Sequence, residues 1–225
     1  MKKGILVIIA LIMFSMFLFG KSVGKSKSMR PVDMGLSVKW ATCNIGATKP
    51  EEFGNYYAWG EVEQKDFYNW ETYKWCDGSV YGLIKYCFGI EHKPVNEVHD
   101  NKKHLDIDDD IAHIMLGGKW RMPTVDEIIE LIYNCEAEWT TLNGVRGCRF
   151  ISKKNGNSIF LPAAGTRYDD GLTSYGLGAY WSSSVNTGYN PSSASILGFY
   201  SLDSLMVDFA YEERSRGLTI RPVSE

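Results

Sequence analysis

An α+β fold is what this sequence predicts, on three observations. Two helical stretches follow one another, at residues 106–116 and 124–135. Strand-like stretches bounded by turn signals lie on both sides of them. The opening Gly35-Leu36-Ser37-Val38-Lys39 is matched type for type by Gly217-Leu218-Thr219-Ile220-Arg221, so the first and last strands are expected to pair and close one domain. No repeat at a period of roughly 20–50 residues occurs, which excludes solenoids and propellers.

The order of elements begins with a targeting segment. Lys2 and Lys3 precede an apolar run from Ile5 to Phe19 interrupted only by Ser15. As a helix that run spans about 23 Å, short of the roughly 30 Å hydrocarbon core. The basic start, short apolar run and small residues Ser22-Val23-Gly24 match a secretory signal peptide over residues 1–24, with an uncleaved N-terminal anchor as the alternative. No cysteine lies near, so lipid attachment is not expected there. Residues 25–31 read as a Lys/Ser-rich linker, and residues 32–225 as a single domain.

Leu36, Val38 and Trp40 alternate with Ser37, Lys39 and Ala41, the period-2 pattern of a half-buried strand. Residues 55–61 (Asn-Tyr-Tyr-Ala-Trp-Gly-Glu) read as a short aromatic strand. Residues 62–104 form a long excursion held down by Trp70, Trp75, Tyr81 and Tyr86. The first helix runs from Asp106, expected to cap it, to Leu116, where Gly117 ends it. The second is the strongest local signal. Thr124 and Glu127 form the Thr-x-x-Glu capping box, and Val125, Ile128, Ile129, Leu131, Ile132 and Cys135 share one apolar face. Asn143-Gly144 is a turn. Residues 148–152 and 158–161, around Asn155-Gly156, make a hairpin. Residues 165–179, rich in glycine, read as an exposed loop. Strands at 179–184, 194–201 and 205–211 complete the chain.

Composition sets the broad class. Of 225 residues, 44% are hydrophobic and 23% charged, ordinary for a globular domain. Seven Trp and 13 Tyr are many, and most are expected in the core. Losing residues 1–24 removes three of the 24 basic residues and none of the 27 acidic ones, a net of −6. An acidic exported domain is a poor partner for nucleic acid or anionic membrane. Membrane contact is expected only through an uncleaved N-terminal segment. Export permits disulfides, and Cys76–Cys87 and Cys135–Cys148 are the sequence-near pairs, leaving Cys43 over. Sequence does not fix the pairing, and free buried thiols are the equal alternative. No Cys-x-x-Cys occurs.

Several blocks carry a family resemblance. Asp33 through Ala47 (Asp-Met-Gly-Leu-Ser-Val-Lys-Trp-Ala-Thr-Cys-Asn-Ile-Gly-Ala), Tyr57-Ala58-Trp59-Gly60-Glu61, and Gly118-Lys119-Trp120-Arg121-Met122-Pro123-Thr124 are three of them. Phe160-Leu161-Pro162-Ala163-Ala164-Gly165, Tyr180-Trp181-Ser182-Ser183-Ser184 and Gly217 through Val223 are the others. In this order they resemble the Fibrobacter succinogenes major paralogous domain family across nearly all of residues 32–225. That resemblance implies an exported protein of a kind found in many copies in Bacteroidetes and Fibrobacter, without an established biochemical function. More distantly, Arg121-Met122-Pro123-Thr124 opening a helix and Gly217 through Arg221 closing the domain are similar to the C-type-lectin-like fold, which includes the formylglycine-generating enzymes. The resemblance implies two helices packed on short antiparallel strands with long loops.

The chemistry of known sites is then weighed against these residues. A formylglycine-generating enzyme needs paired cysteines late in the chain, because thiolates bind copper and attack substrate. The last cysteine here is Cys148. A calcium lectin site needs clustered hard oxygen ligands, and the Glu-Pro-Asn, Gln-Pro-Asp and Trp-Asn-Asp triplets of C-type lectins do not occur. Asp106-Ile107-Asp108-Asp109-Asp110 fails as an EF-hand, since Ile111 stands where glycine is required and Gly117 where glutamate is. His92, His99, His104 and His113 lack ligand spacing. Neither a metal nor a cofactor is expected, and no catalytic residues are assigned.

What remains is recognition chemistry. Tyr168, Asp169, Asp170, Tyr175, Asn186, Tyr189 and Asn190 combine rigid aromatic contact area with adaptable hydrogen bonding, the composition of binding loops. The reading is a non-enzymatic binding module for glycan or protein ligands at the cell surface, in the periplasm or secreted. A structural or adhesive component of the cell envelope is the alternative, and an enzyme comes third.

Overall fold

The computed structural model describes residues 29–87, 100–187 and 190–225; the targeting segment, Tyr189, His92 and His99 lie outside these. Among the described residues the chain folds as antiparallel sheets with two α-helices. The strands are β1 (Pro31–Val32), β2 (Lys39–Ala41), β3 (Trp120–Arg121), β4 (Cys135–Leu142), β5 (Val145–Ser152), β6 (Ser158–Pro162), β7 (Thr166–Tyr168), β8 (Gly171–Thr173), β9 (Leu177–Val185), β10 (Ser193–Ser201), β11 (Leu205–Glu213) and β12 (Val223–Ser224). The helices are α1 (Ile111–Leu116) and α2 (Val125–Asn134).

The capping box forms as expected. Glu127 N–H donates to Thr124 Oγ1 at 3.3 Å, and Thr124 N–H donates back to the Glu127 carboxylate at 2.8 Å. α2 then buries Ile128 and Leu131 against Trp40, Phe150, Leu161, Tyr180 and Phe199. The first helix is shorter than expected. Asp106 makes no side-chain cap; Ile107–Asp109 is a 3-10 turn, and Asp110 caps α1 through Ala112 and His113 N–H. The cap moved because Asp106 is drawn into ion pairs with Lys85 and Lys102 at 2.9 and 2.6 Å.

β9, β10 and β11 form one sheet, with β10 central and a register shift between Ala194 and Ile196. Both faces of β9 and β10 are covered. Tyr180, Leu197 and Phe199 join the core beneath α2, while Trp181, Ala194 and Ile196 pack with Trp59, Ile111, Leu218 and Ile220 in a second core. A second sheet, β4-β5-β6, abuts the first core. The hairpin at 148–161 forms, from Gly147↔Pro162 to Ile151↔Ser158.

Chain closure occurs, displaced from its expected place. β12, not 217–221, pairs with β2 (Val223↔Trp40) and with β3 (Val223↔Arg121). Residues 217–221 thread between other segments, bonding Tyr57 through Leu218 at 3.0 Å in both directions and Ile45 through Ile220 at 3.0 Å. Residues 55–61 are accordingly not a strand. Tyr57 makes one bridge to Leu218, Trp59 N–H turns to Arg214 O, and Gly54 and Gly60 at positive φ break the extended run.

Four further differences stand. β1 begins inside the expected linker, at Pro31. β4 runs from Cys135 with three exposed residues in succession, so no apolar alternation marked it. The expected loop 165–179 contains the β7–β8 hairpin, Thr166↔Thr173 to Tyr168↔Gly171. Among the described residues three Trp and five Tyr are buried, fewer than expected, because the other described Trp and Tyr lie half-buried or exposed. The five cysteines are free, and all but Cys76 are buried.

Candidate recognition face

The excursion after Gly60 and the β7–β8 hairpin meet in one face. Tyr68 N–H donates to Asp169 O at 2.9 Å, and Asp169 N–H to Tyr68 O at 3.0 Å. Asp169 sits at φ +48°, a left-handed conformation that Asp tolerates better than most residues. Its side chain accepts from Asn69 Nδ2 at 2.9 Å. Tyr68 is fully buried, and its hydroxyl donates to Tyr56 O at 2.7 Å. The Tyr56 hydroxyl donates in turn to Ala164 O at 2.6 Å. A main-chain pair, Arg167 with Gly217, fixes the hairpin from below at 2.7 and 3.0 Å.

Cations are threaded between these rings. The Arg167 guanidinium lies 5.7 Å from the Tyr56 ring centre and 6.0 Å from that of Tyr68. Arg216 lies 4.9 Å over the Tyr168 ring while its Nε bonds Glu212 and Glu213 at 3.1 and 3.4 Å. Such contacts contribute about 0.5–2 kcal/mol each and hold ring planes in place. Burial pushes the Tyr56 phenol up to about 12; Arg167 works against that shift, and Tyr175 and Tyr68 add to it. Tyr56 is therefore a neutral hydrogen-bond donor at any working pH.

The outer surface is aromatic. Tyr175 is 80% exposed, Phe67 52% and Tyr168 41%. Asp170 is exposed beside them at the hairpin tip. Large exposed rings on a pinned backbone lose little entropy on binding, so they are efficient contact groups.

Of the residues expected from sequence, Tyr168, Asp169, Asp170 and Tyr175 come from this one hairpin and the turn that follows it. Asn190 is exposed on the β9–β10 connection, where its side chain accepts from Ser192 N–H at 3.1 Å. Asn186, expected in an exposed loop, is instead buried at 8% exposure where β9 ends, its N–H donating to Ser193 O at 3.1 Å. Tyr189 lies outside the described residues. Sequence reasoning missed Phe67, Asn69, Arg167 and Arg216, because only the pairing of Tyr68 with Asp169 brings 65–73 beside 166–175. Among the described residues no three His, Cys, Asp or Glu gather as a metal site, and no helix is long and apolar enough to cross a membrane. Comparison with protein-family models, with curated proteins and with solved structures gives no match.

Proposed function

We propose that the chain is an exported binding module of C-type-lectin-like architecture, of the Fibrobacter succinogenes major paralogous domain kind, and that it engages glycan at the face formed by Phe67, Tyr168, Asp169, Asp170 and Tyr175. The observation that carries this reading is the pinned aromatic surface. Exposed rings offer flat apolar faces to the C–H faces of a pyranose, and Asp169 and Asp170 supply acceptors for sugar hydroxyls at its margin. The architecture is supported by the Arg121-Met122-Pro123-Thr124 block opening α2 and by the closing segment at 217–223 bonded to the N-terminal strands. Localisation at the cell surface, in the periplasm or outside the cell rests on residues 1–24 and on the resemblance.

The test is a glycan array probed with the purified protein, with and without chelator. Selective binding that is lost in Tyr175→Ala and weakened about tenfold in Tyr168→Ala is the expected result. Loss in chelator would introduce a metal dependence that the acceptor set alone does not require. A blank array sinks the glycan reading and leaves a protein ligand. The reading as an adhesive envelope component is favoured by one separate observation, β11. This strand lies at the sheet edge and exposes Met206, Phe209 and Tyr211. Concentration-dependent polymers in light scattering would decide for it.

A further inference from the structure

The aromatic face carries unbalanced charge, and the sign of that charge narrows the glycan it would take. Tyr68 and Asp169 pair antiparallel, so Phe67 and Asp170 stand at the adjoining position and Asp66 follows at the same end. Asp66 and Asp170 are exposed. Among the described residues no lysine, arginine or histidine forms an ion pair with Asp66, Asp169 or Asp170. The side-chain partner of Asp169 is the neutral Asn69 amide, at 2.9 Å.

The cations nearby are already committed. Arg167 is held between the Tyr56 and Tyr68 rings, 5.7 and 6.0 Å from their centres. Arg216 lies over Tyr168 and is shared by two carboxylates, Glu212 and Glu213. Lys65 is paired with Glu61 at 3.0 Å, and Lys74 lies 4.3 Å over the Trp75 ring. Counting Arg167 and Arg216 in full, two guanidiniums face five carboxylates, those of Asp66, Asp169, Asp170, Glu212 and Glu213. The face is therefore negative, and the exposed rings of Phe67, Tyr168 and Tyr175 add the negative faces of their quadrupoles. Both features draw a cation to the same place, since an ammonium gains from a ring face within about 6 Å and from an ionised carboxylate. A neutral pyranose uses only the rings and the acceptors.

We propose that this face selects glycan bearing a free amine, a polymer of amino sugar in its ammonium form; the inference rests on the glycan reading above. The C–H face of the pyranose packs on Tyr168 and Tyr175. Its ammonium lies against the Asp170 carboxylate, and Asp66 adds to the attraction. An acidic sugar is repelled from the same surface.

The experiment is a calorimetric titration of the purified protein at about pH 6, where carboxylates are ionised and an amine is protonated. The ligands are an oligomer of glucosamine, its glucose counterpart of equal length and linkage, and a lysine oligomer of equal charge. The glucosamine oligomer is expected to bind at least about tenfold more tightly than the glucose one, with the difference shrinking in added salt. The lysine oligomer, a cation without a sugar ring, is expected to bind at least about tenfold more weakly than the glucosamine one. Asp170→Asn should cut the ratio between the two sugars about threefold or more at an unchanged thermal melt. Asp126→Asn, exposed on α2 and outside the face, removes the same charge and should leave the ratio as it was. Equal binding of the two sugars, or indifference to Asp170→Asn, overturns the proposal and leaves the glycan reading standing. Binding of neither sugar overturns it too, and the array then decides whether the glycan reading falls with it. A lysine oligomer that binds as tightly as glucosamine, or an Asp126→Asn effect equal to that of Asp170→Asn, would show attraction to net charge alone and overturns it equally.

Discussion

Glu127 shows how much one side chain holds. Its carboxylate accepts both Arg121 Nη atoms and Thr124 N–H, tying β3 to the first turn of α2. Burial alone would raise its titration, but the Arg121 fork and the Thr124 bonds outweigh burial and hold it below its ordinary 4.5. A depressed carboxyl stabilises the fold at pH above that ordinary value, and the stabilisation is lost as pH falls through the lower folded value. Glu127→Gln is expected to cost about 2 kcal/mol at neutral pH, since it converts charge-assisted bonds to neutral ones. The difference from wild type should shrink in acid, which urea melts at pH 7 and at about pH 3 would measure. Arg221 is a comparable case with no carboxylate. Fully buried, it donates to Asn44 Oδ1 at 2.8 Å and to Ala41, Thr42 and Phe160 carbonyls at 2.9–3.1 Å. A lysine cannot reproduce that planar fork, so Arg221→Lys is expected to cost more than about 3 kcal/mol in a urea melt.

At the scale of elements, the β7–β8 hairpin of the candidate face depends on a residue with no side chain. A Cβ at Gly217 would meet the Tyr68 ring at 2.7 Å, well inside contact distance. Gly217→Ala must therefore push Tyr68 away from Asp169 and unseat β7–β8. The expected result is a loss of about 1–3 kcal/mol with loss of glycan binding, whereas Tyr175→Ala should lose binding at unchanged stability. A thermal melt beside the array separates the two. The same scale shows what can be read from sequence. α2 was legible because its cap and its apolar face are both local. The 148–161 hairpin was legible from Asn155-Gly156 between apolar runs. β4 was not, since its exposed Glu136, Ala137 and Glu138 earn their place by pairing with β5 and not by burial. The acidic run at 106–110 concealed which aspartate caps α1, because the choice is made by Lys85 and Lys102, distant or outside the helix.

In the whole molecule, the β9–β10–β11 sheet separates two cores, and only long-range pairing decides which residues face which. That is why the candidate site was half legible: Tyr168, Asp169, Asp170 and Tyr175 could be named from composition, but the partners that pin them are distant in the chain, Asn69 well before Asp169 and Arg216 well after Tyr168. The mirrored ends pointed to closure of the domain, though the strand itself lies at 223–224, because Leu218 and Ile220 are used inside the second core. This closing segment touches almost everything: Leu218 pairs with Tyr57, Thr219 with Trp181, Ile220 with Ile45, and Val223 with Trp40 and Arg121. Its removal would expose both cores and strand the backbone donors of four segments. A chain ending at Arg216 is therefore expected to lose cooperative thermal unfolding and the near-ultraviolet circular dichroism of its buried tryptophans, while keeping part of its far-ultraviolet signal. A sharp melt in that truncated chain would mean that the sheets fold without closure, and that the segment serves only to seat the recognition hairpin.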